Sequence, residues 1–392
     1  MVTLATPGVY KRDLVPAQPA ELRTGVPAFL GYTTTVELDQ AGQPVPVKET
    51  KPLTLWSQFG QRFGAPRSDG YLAFAVRGFF ENAGGLCYVI RLDDTLGPVD
   101  ALRQGLEVLA PMDSLDLVCA PDIMRPGPDG NLDEGAVRTM QMMLLEHCDR
   151  CGDRFTLLDA LPHINVDGVL LQRQGLSGTN GALYYPWIKL QDGPALADGF
   201  VPPCGHIAGV YARSDQNAGV HKAPANEALE GVLDLQVNLA DAEQGELNPQ
   251  SVNCLRAFPG RGIRVWGART LSGDPAWMYV SVRRLFLTAG RWIERNMQGE
   301  VLEPNDAKLW ARIERELTAY FNDLFQKGAL KGRTAQEAFY IKCNAETNPP
   351  EVREAGMVVT EIGLAPALPN EFVVVYITHG ESGVTITGPS RP

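Results

Sequence analysis

The chain has 392 residues and a formal net charge of −11, with 44% hydrophobic and 21% charged residues. This length exceeds what one ordinary core supports, so two domains are expected, and the composition excludes a disordered chain. The negative charge disfavours contact with a phosphate backbone, so we expect no nucleic-acid partner.

The sequence lacks segments typical of export or of membrane spans. Residues 1–14, MVTLATPGVYKRDL, do not have the charged and apolar regions of a signal peptide. The longest apolar runs, such as EFVVVYI at 371–377, are too short to cross a bilayer. Seven cysteines, an odd number spread along the chain, do not form the pattern of a disulfide framework. We therefore expect folding in the cytoplasm, reduced thiols and no direct membrane insertion.

Residues 1–24 contain Pro7, Pro16 and Pro19 and little that could form a core, which predicts an extended N-terminal arm. From residue 26 onward, apolar strand-like segments alternate with segments of helical periodicity. Strands are predicted at 26–35, 86–92, 115–121 and 154–161, and helices at 53–64 (with Thr54 as N-cap), 69–85, 101–110 and 136–151. This alternation predicts an α/β layer with a largely parallel or mixed sheet.

The middle of the chain is richer in loops. Two more strands are predicted after residue 165, YYPWIKL at 184–190 and HIAGVYAR at 206–213. Together with the preceding elements they define an outer α/β domain over residues 25–258.

Two long helices begin the last third of the chain. The first is predicted over 273–297, with Asp274 as N-cap and Pro275 at the first helical position. The second starts at Asn305 or Asp306 and ends at Gly328. Its apolar residues share one face, formed by Leu309, Trp310, Ile313, Leu317, Tyr320, Phe321 and Leu324. Its polar residues share the opposite face, formed by Lys308, Arg312, Arg315, Asn322 and Gln326.

The end of the chain reads mainly as strands. A turn at Gly332 leads through a short helix into a strand at 339–341, and further strands are predicted within 356–366, 370–380 and 384–387. We assign residues 259–378 to a C-terminal core domain of two helices and a β-sheet, and residues 379–392 to a C-terminal arm. The predicted fold class is therefore mixed α/β (α+β).

The motifs that could carry chemistry are weak. Cys148 and Cys151 have redox spacing, but they end an apolar-periodic helix, whereas a reactive thiol needs the helix N-terminus. The Gly-rich loop at Gly260 lacks dinucleotide-binding spacing, and the five histidines form no nucleophile–base arrangement. We predict no catalytic, cofactor-binding or metal site. The alternative is a cytoplasmic α/β enzyme that uses the Cys148/Cys151 pair or the Gly260 loop.

The remaining pattern concerns assembly. A strand without a local partner exposes N–H and C=O groups that must be paired or covered, and pairing with another copy of the chain does this. If donor and acceptor surfaces differ, such contacts propagate into rings or helical filaments. The residues alone leave this interpretation and that of ordinary frayed termini open.

Several long segments resemble the tail sheath proteins of contractile phage tails and bacterial contractile injection systems. The N-terminal matches are TPGVYKRDL (6–14), TGVPAFLGYT (24–33) and FFENAGGLCYVIRL (79–92), the last with Ala83 where the family has Gly. Residues 201–226 are similar to a further family segment, with Cys204 where Ser is usual. From residue 247 to 377 the matching segments follow one another in the family's order, whereas residues 95–180 match loosely.

The resemblance implies a structural subunit, not an enzyme. It implies hexameric rings stacked helically around an inner tube, and a sheath that contracts to drive the tube through a target envelope. Implied partners are other copies of the chain, the inner tube protein, and baseplate and terminal cap proteins, in a phage tail or tail-like particle assembled in the bacterial cytoplasm and in some systems released from the cell. The core sheet would be completed by strands from neighbouring subunits, with arm residues Pro7, Gly8, Val9, Tyr10 and Leu14 at the N-terminal end and Phe372, Val374, Tyr376, Val384 and Ile386 at the C-terminal end. The tube-facing candidates are Lys308, Arg312 and Arg315.

Overall fold

The computed structural model describes residues 22–34, 52–127, 129–194 and 198–371, and the backbone of two strands near the C-terminus, 376–380 and 383–387. Its strands are β1 (Pro27–Gly31), β2 (Tyr88–Arg91), β3 (Leu117–Cys119), β4 (Phe155–Asp159), β5 (Gly181–Tyr185), β6 (Ile188–Leu190), β7 (Phe200–Val201), β8 (Glu227–Ala228), β9 (Val232–Leu235), β10 (Val252–Phe258), β11 (Gly262–Trp266), β12 (Phe339–Lys342), β13 (Glu361–Leu364), β14 (Tyr376–Gly380) and β15 (Gly383–Thr387). Its α-helices are α1 (Ser57–Phe63), α2 (Leu72–Glu81), α3 (Pro98–Leu109), α4 (Glu134–Cys151), α5 (Val166–Gln174), α6 (Cys204–Ala218), α7 (Asp241–Leu247), α8 (Val280–Asn296), α9 (Ala307–Gln326), α10 (Ala335–Ala338) and α11 (Pro350–Glu354). None of these helices is long and apolar enough to cross a membrane.

The main sheet has eight strands in the order β2-β1-β3-β4-β5-β10-β11-β8. The first six are parallel, and β11 and β8 add an antiparallel edge. In the register, Phe29 lies opposite Val89 on one side and Cys119 on the other. Helices pack on this sheet in pairs, α2 with α6 and α3 with α4. The predicted mixed α/β fold is confirmed, because helical crossovers connect the parallel strands as the alternating pattern required.

The predicted strand at 206–213 is wrong, since these residues form part of α6. Two glycines explain the difference. A Cβ atom on Gly205 would lie 2.2 Å from the carbonyl oxygen of Ala75, and one on Gly209 would lie 2.6 Å from that of Phe79. The glycines therefore let α6 lie directly on the backbone of α2, and this close packing fixes the helix.

Two helix starts also differ from the prediction. Thr54 is not the N-cap of α1, which is Trp56; instead the Gln58 side-chain oxygen reaches back and accepts the backbone N–H of Thr54 at 2.8 Å. Asp274 accepts the N–H of Ala276, but it caps a single 3-10 turn, Pro275–Trp277, and α8 begins at Val280. The 3-10 turn does not continue into a helix, because the carbonyl groups of Trp277 and Met278 already accept hydrogen bonds from the hydroxyl and the backbone N–H of Thr270.

The second long helix follows the prediction closely. Asp306 caps α9 by accepting the N–H groups of Lys308 and Leu309 at 2.9 and 3.0 Å, and Gly328 follows the helix with φ 78°. The buried residues of α9 all belong to the predicted apolar face; they are Leu309, Trp310, Ile313, Leu317 and Phe321. Together with Ala289 and Cys343 they form a second core.

The predicted boundary between the two domains falls between two neighbouring strands of the main sheet. A boundary between Phe258 and Pro259 would separate β10 from β11, which pair along five residues from Cys254–Trp266 to Phe258–Gly262. Because β11 belongs to the main sheet, we propose that the outer domain extends to about Leu271.

Candidate assembly surfaces

The C-terminal domain contains a sheet of two strands. β12 and β13 are antiparallel, with Phe339 opposite Leu364 and Ile341 opposite Ile362. Within the described ranges neither strand pairs with a third, so each has one edge whose backbone groups lack a strand partner. An unpaired edge of this kind is a template for a further strand.

An apolar groove lies beside this sheet. It has a volume of about 710 Å³ and runs between the end of α8, α9 and the segment that leads into β13. Its lining includes Ile293, Ile313 and Ile362, and its rim carries Val301 and Leu302, of which Leu302 is 99% exposed. Exposed apolar surface next to a free sheet edge is typical of a surface that binds another chain.

The predicted polar face of α9 is present, but its cations differ from one another. Lys308 and Arg315 are exposed, and neither forms an ion pair with any residue that the structure describes. Arg312 contacts the carboxylate of Glu300 and lies 3.5 Å from that of Glu303. The Glu300 carboxylate, more than any other group, raises the pKa of Arg312. Lys308 and Arg315 are therefore better placed than Arg312 to contact another molecule.

Most of the predicted arm residues lie outside the residues that the structure describes. Pro7, Gly8, Val9, Tyr10 and Leu14 fall outside the described residues, as do Phe372 and Val374 of the list of C-terminal positions.

The backbone of the other three C-terminal positions is described. Tyr376 lies in β14, and Val384 and Ile386 lie in β15. These two strands pair with each other as an antiparallel hairpin and, among the described strands, with no other. Their assignment to contacts between subunits stays a prediction.

The N-terminal root, which we define as residues 23–26, is held by buried charges. The Asp116 carboxylate accepts the backbone N–H groups of Gly25 and Val26 at 3.1 and 2.7 Å. Arg284 of α8 donates to Asp116 at 2.8 Å and to both oxygens of Asp215 at 2.8 and 2.6 Å.

This triad is almost completely excluded from water. The Arg284 and Asp215 side chains are each 2% exposed, and that of Asp116 is 5% exposed. Burial alone would lower the pKa of Arg284, but the two carboxylates outweigh burial and raise its pKa above the ordinary value. The guanidinium therefore stays charged within the protein.

The C-terminal root, which we define as residues 365–371, is also fixed. Its first residues bind the segment before α10, since Lys331 donates to the carbonyl of Ala365 at 2.8 Å and Ala367 donates to that of Ala329 at 3.0 Å. At its end, Arg269 holds the Glu371 carboxylate through both oxygens, with Nε to Oε1 at 2.8 Å. The hydrogen bond to Glu371 is the largest cause of the raised pKa of Arg269.

The residues of the alternative enzyme interpretation lie in buried, partly buried or turn positions. Cys148 is completely buried, and burial raises the pKa of its thiol well above the ordinary value. Cys151 lies 3.7 Å from Nε2 of His147, and burial raises its thiol pKa as well. The described part of the chain has no group of three or more His, Cys, Asp or Glu side chains that could hold a metal ion. Gly260 lies in the turn between β10 and β11 with φ 71°.

The sequence does not predict the groove or either of the two root networks. One signal was available: Arg283 and Arg284 interrupt the apolar residues at the start of α8, and a charged side chain that is buried, as that of Arg284 is, requires a partner. Its partners could not be read from local spacing, because they lie 69 and 168 residues away.

Comparison with known proteins places this architecture among sheath subunits. A family model described as phage tail sheath protein central domain matches residues 123–271, and one described as phage tail sheath C-terminal domain matches residues 272–378. The tail sheath protein of Salmonella phage ViI is 28% identical over 171 residues, which are 43% of this chain. The matched segments cover only 26% to 41% of the lengths of the curated tail sheath proteins.

Solved structures match over nearly the whole chain. The helical sheath of the anti-feeding prophage in its contracted state is 30% identical, with a TM-score of 0.75, and the match covers 96% of this chain and 100% of that one. The sheath of the extracellular contractile injection system PVC, also contracted, is 28% identical with a TM-score of 0.75, covering 97% and 99%. Fold and similarity thus define a structural protein of contractile tail-like particles. The chain belongs to the phage tail sheath protein family.

Proposed function

We propose that this chain is the subunit of a contractile sheath. It polymerises as helical stacks of hexameric rings around an inner tube, and the sheath contracts to drive the tube through a target envelope. The observation that carries the proposal is the similarity over almost the full length to two sheaths in their contracted states. Two packings of one sequence that differ by only a few kcal/mol per subunit suffice for such a switch, because the difference is summed over all copies.

The sheet of β12 and β13 is the proposed acceptor of strands from neighbouring subunits. Its two unpaired edges and the adjoining apolar groove support this role. The donors are the predicted N-terminal arm, with its PGVY segment at 7–10, and the C-terminal strands around Tyr376 and Ile386. Strands exchanged in this way keep rings connected while the domains reorient.

The partners follow from this role. They are further copies of the chain, the inner tube protein, and baseplate and terminal cap proteins, and the role requires neither catalysis nor a nucleic acid. One structure similar to this chain, at 31% identity, is part of the anti-feeding prophage baseplate. We place assembly in the bacterial cytoplasm, within a phage tail or a phage tail-like particle.

The tube-facing surface is the polar side of α9. Because Arg312 is occupied by Glu300 and Glu303, the contact falls mainly to Lys308 and Arg315. Reversing these two charges, Lys308→Glu with Arg315→Glu, should leave rings intact but abolish assembly templated by the tube. Unchanged sheath length and tube content in this variant would remove the assignment.

Electron microscopy of the purified particle tests the proposed function. We expect striated cylinders with a core tube, and two sheath lengths before and after treatment with urea or acid. A sheath of constant length would indicate a non-contractile wall. A small oligomer of defined mass with the absorbance of a bound cofactor would contradict the sheath and favour an enzyme.

A further inference from the structure

Helix α8 lies between the roots of both predicted arms. Arg284, in its second turn, binds the Asp116 carboxylate that holds the backbone of Gly25 and Val26. Arg291, about two turns further along the helix, donates to the carbonyl groups of Arg23 and Asp113 at 3.4 and 3.2 Å. One face of α8 thus holds the N-terminal root at two points.

The N-terminal end of α8 is joined to the C-terminal root. Val280, its first residue, donates to the carbonyl of Ala268 at 3.0 Å, and the preceding Tyr279 pairs with Arg269 across an antiparallel bridge. The side chain of the same Arg269 holds Glu371 through both carboxylate oxygens. A short series of bonds therefore leads from Glu371 through Arg269 into the helix.

The bonds at both ends suit a mechanical role. Arg269 and Glu371 are only 14% and 17% exposed, so water and salt screen their attraction less than that of a surface pair. The backbone of Arg269 is fixed as well, because its N–H donates to the Asn253 side chain at 2.7 Å. A pull on the Glu371 side chain is thus transmitted through Arg269 to α8 and, through Asn253 of β10, to the main sheet.

We propose that α8, with the segment 268–279 before it, is a strut that carries load between the two arms when the sheath contracts. The inference rests on the proposed function, because the arms carry load only if they connect subunits. In the strut the N-terminal root is bound through Arg284 and Arg291, and the C-terminal root is bound through Arg269 and Glu371. Force from one neighbour then reaches the opposite arm through this helix and the segment before it.

One substitution at each root tests the strut in complete particles. Glu371→Gln removes the negative charge from the contact with Arg269. Arg291→Lys removes the guanidinium group whose two N–H donors bind the carbonyl groups of Arg23 and Asp113. Asp100→Asn is the matched control, since it removes a carboxylate from the exposed Arg103–Asp100 pair on α3, which has no connection to either root. Contraction is triggered with acid or urea, and the length of continuous contracted sheath is measured by negative-stain microscopy.

We expect extended sheaths of normal length in all three variants. On contraction, the Glu371→Gln and Arg291→Lys sheaths should break into short stacks of rings, whereas wild-type and Asp100→Asn sheaths stay continuous. Amide hydrogen exchange of the Glu371→Gln particle should lose protection at Ala367 and Lys331 but not in β1 to β5. A general loss of fold would instead raise exchange throughout the chain.

The milder variant Arg269→Lys keeps the positive charge but cannot bind both carboxylate oxygens of Glu371 at once. Its sheaths should therefore break less often than those of Glu371→Gln. The strut is overturned if contracted sheaths of both root variants are as continuous as the control, or if only one root variant breaks. If the wild-type particle forms no sheath, the proposed function fails, which is a different result from continuous sheaths in the variants.

Discussion

Replacing Arg284 by Met tests the triad at the N-terminal root most severely. The side chain is 2% exposed, and it makes three charge-assisted hydrogen bonds of 2.6 to 2.8 Å to Asp116 and Asp215. Met retains most of the volume but leaves two carboxylates buried without their cation. Removing one partner of a buried ion pair costs about 3 to 5 kcal/mol, a large part of the roughly 5 to 15 kcal/mol by which a domain is stable.

Thermal unfolding of the full chain, followed by circular dichroism, measures this cost. For domains of this size we expect Tm to fall by roughly 6 to 20 °C. The control Asp100→Asn breaks an exposed pair and should change the free energy of unfolding by about 0 to 1 kcal/mol. A Tm of Arg284→Met equal to that of the control would refute the reasoning that the buried charges hold the root.

The same variant should respond to pH in a defined direction. Burial is the largest influence that raises the pKa of Asp215, and without Arg284 nothing of comparable strength opposes it. Its pKa in the folded variant then lies above its value in the unfolded chain, so the folded state takes up the proton first. The deficit relative to wild type should therefore shrink as pH falls below 7, and a deficit that grows on acidification would contradict this account.

Three further predictions concern separate parts of the molecule. Burial lowers the pKa of His206 to about 3, so the unfolded chain binds the proton first as pH falls. Between pH 6.5 and 5 the free energy of unfolding of wild type should therefore fall by about 2 kcal/mol more than that of His206→Asn. Equal slopes of the unfolding free energy against pH would contradict this. Gly205→Ala places a methyl group 2.2 Å from the Ala75 carbonyl oxygen and should cost about 1 to 3 kcal/mol or more in chemical denaturation. Gly290→Ala, in open space on α8, should stabilise by about 0.5 to 1 kcal/mol, and an equal effect of the two substitutions would refute the packing argument.

Much of the fold follows from local sequence signals. In α9 the 3.6-residue spacing of Leu309, Ile313 and Leu317 and the Asp306 cap are both visible in the sequence, and the structure contains both. The alternating strands of the outer domain are predicted equally well, because each is bounded by turn residues and followed by a helical period.

The remaining features depend on contacts between distant residues. In residues 206–213 the apolar pattern does not distinguish strand from helix, and only the approach of Gly205 and Gly209 to α2 decides for a helix. The root networks likewise join residues that are far apart in the chain, such as Arg269 and Glu371, so no local sequence pattern predicts them. The family resemblance predicted a β-sheet in the C-terminal domain, but the groove beside it is visible only in three dimensions.

The exchange of strands between subunits is the central claim, and a cryo-EM reconstruction of the assembled particle tests it most directly. We expect density for a strand of a neighbouring subunit hydrogen-bonded along the free edge of β12 or β13, in both the extended and the contracted state. A reconstruction in which residues 1–21 and 372–392 pair only with their own subunit would contradict it.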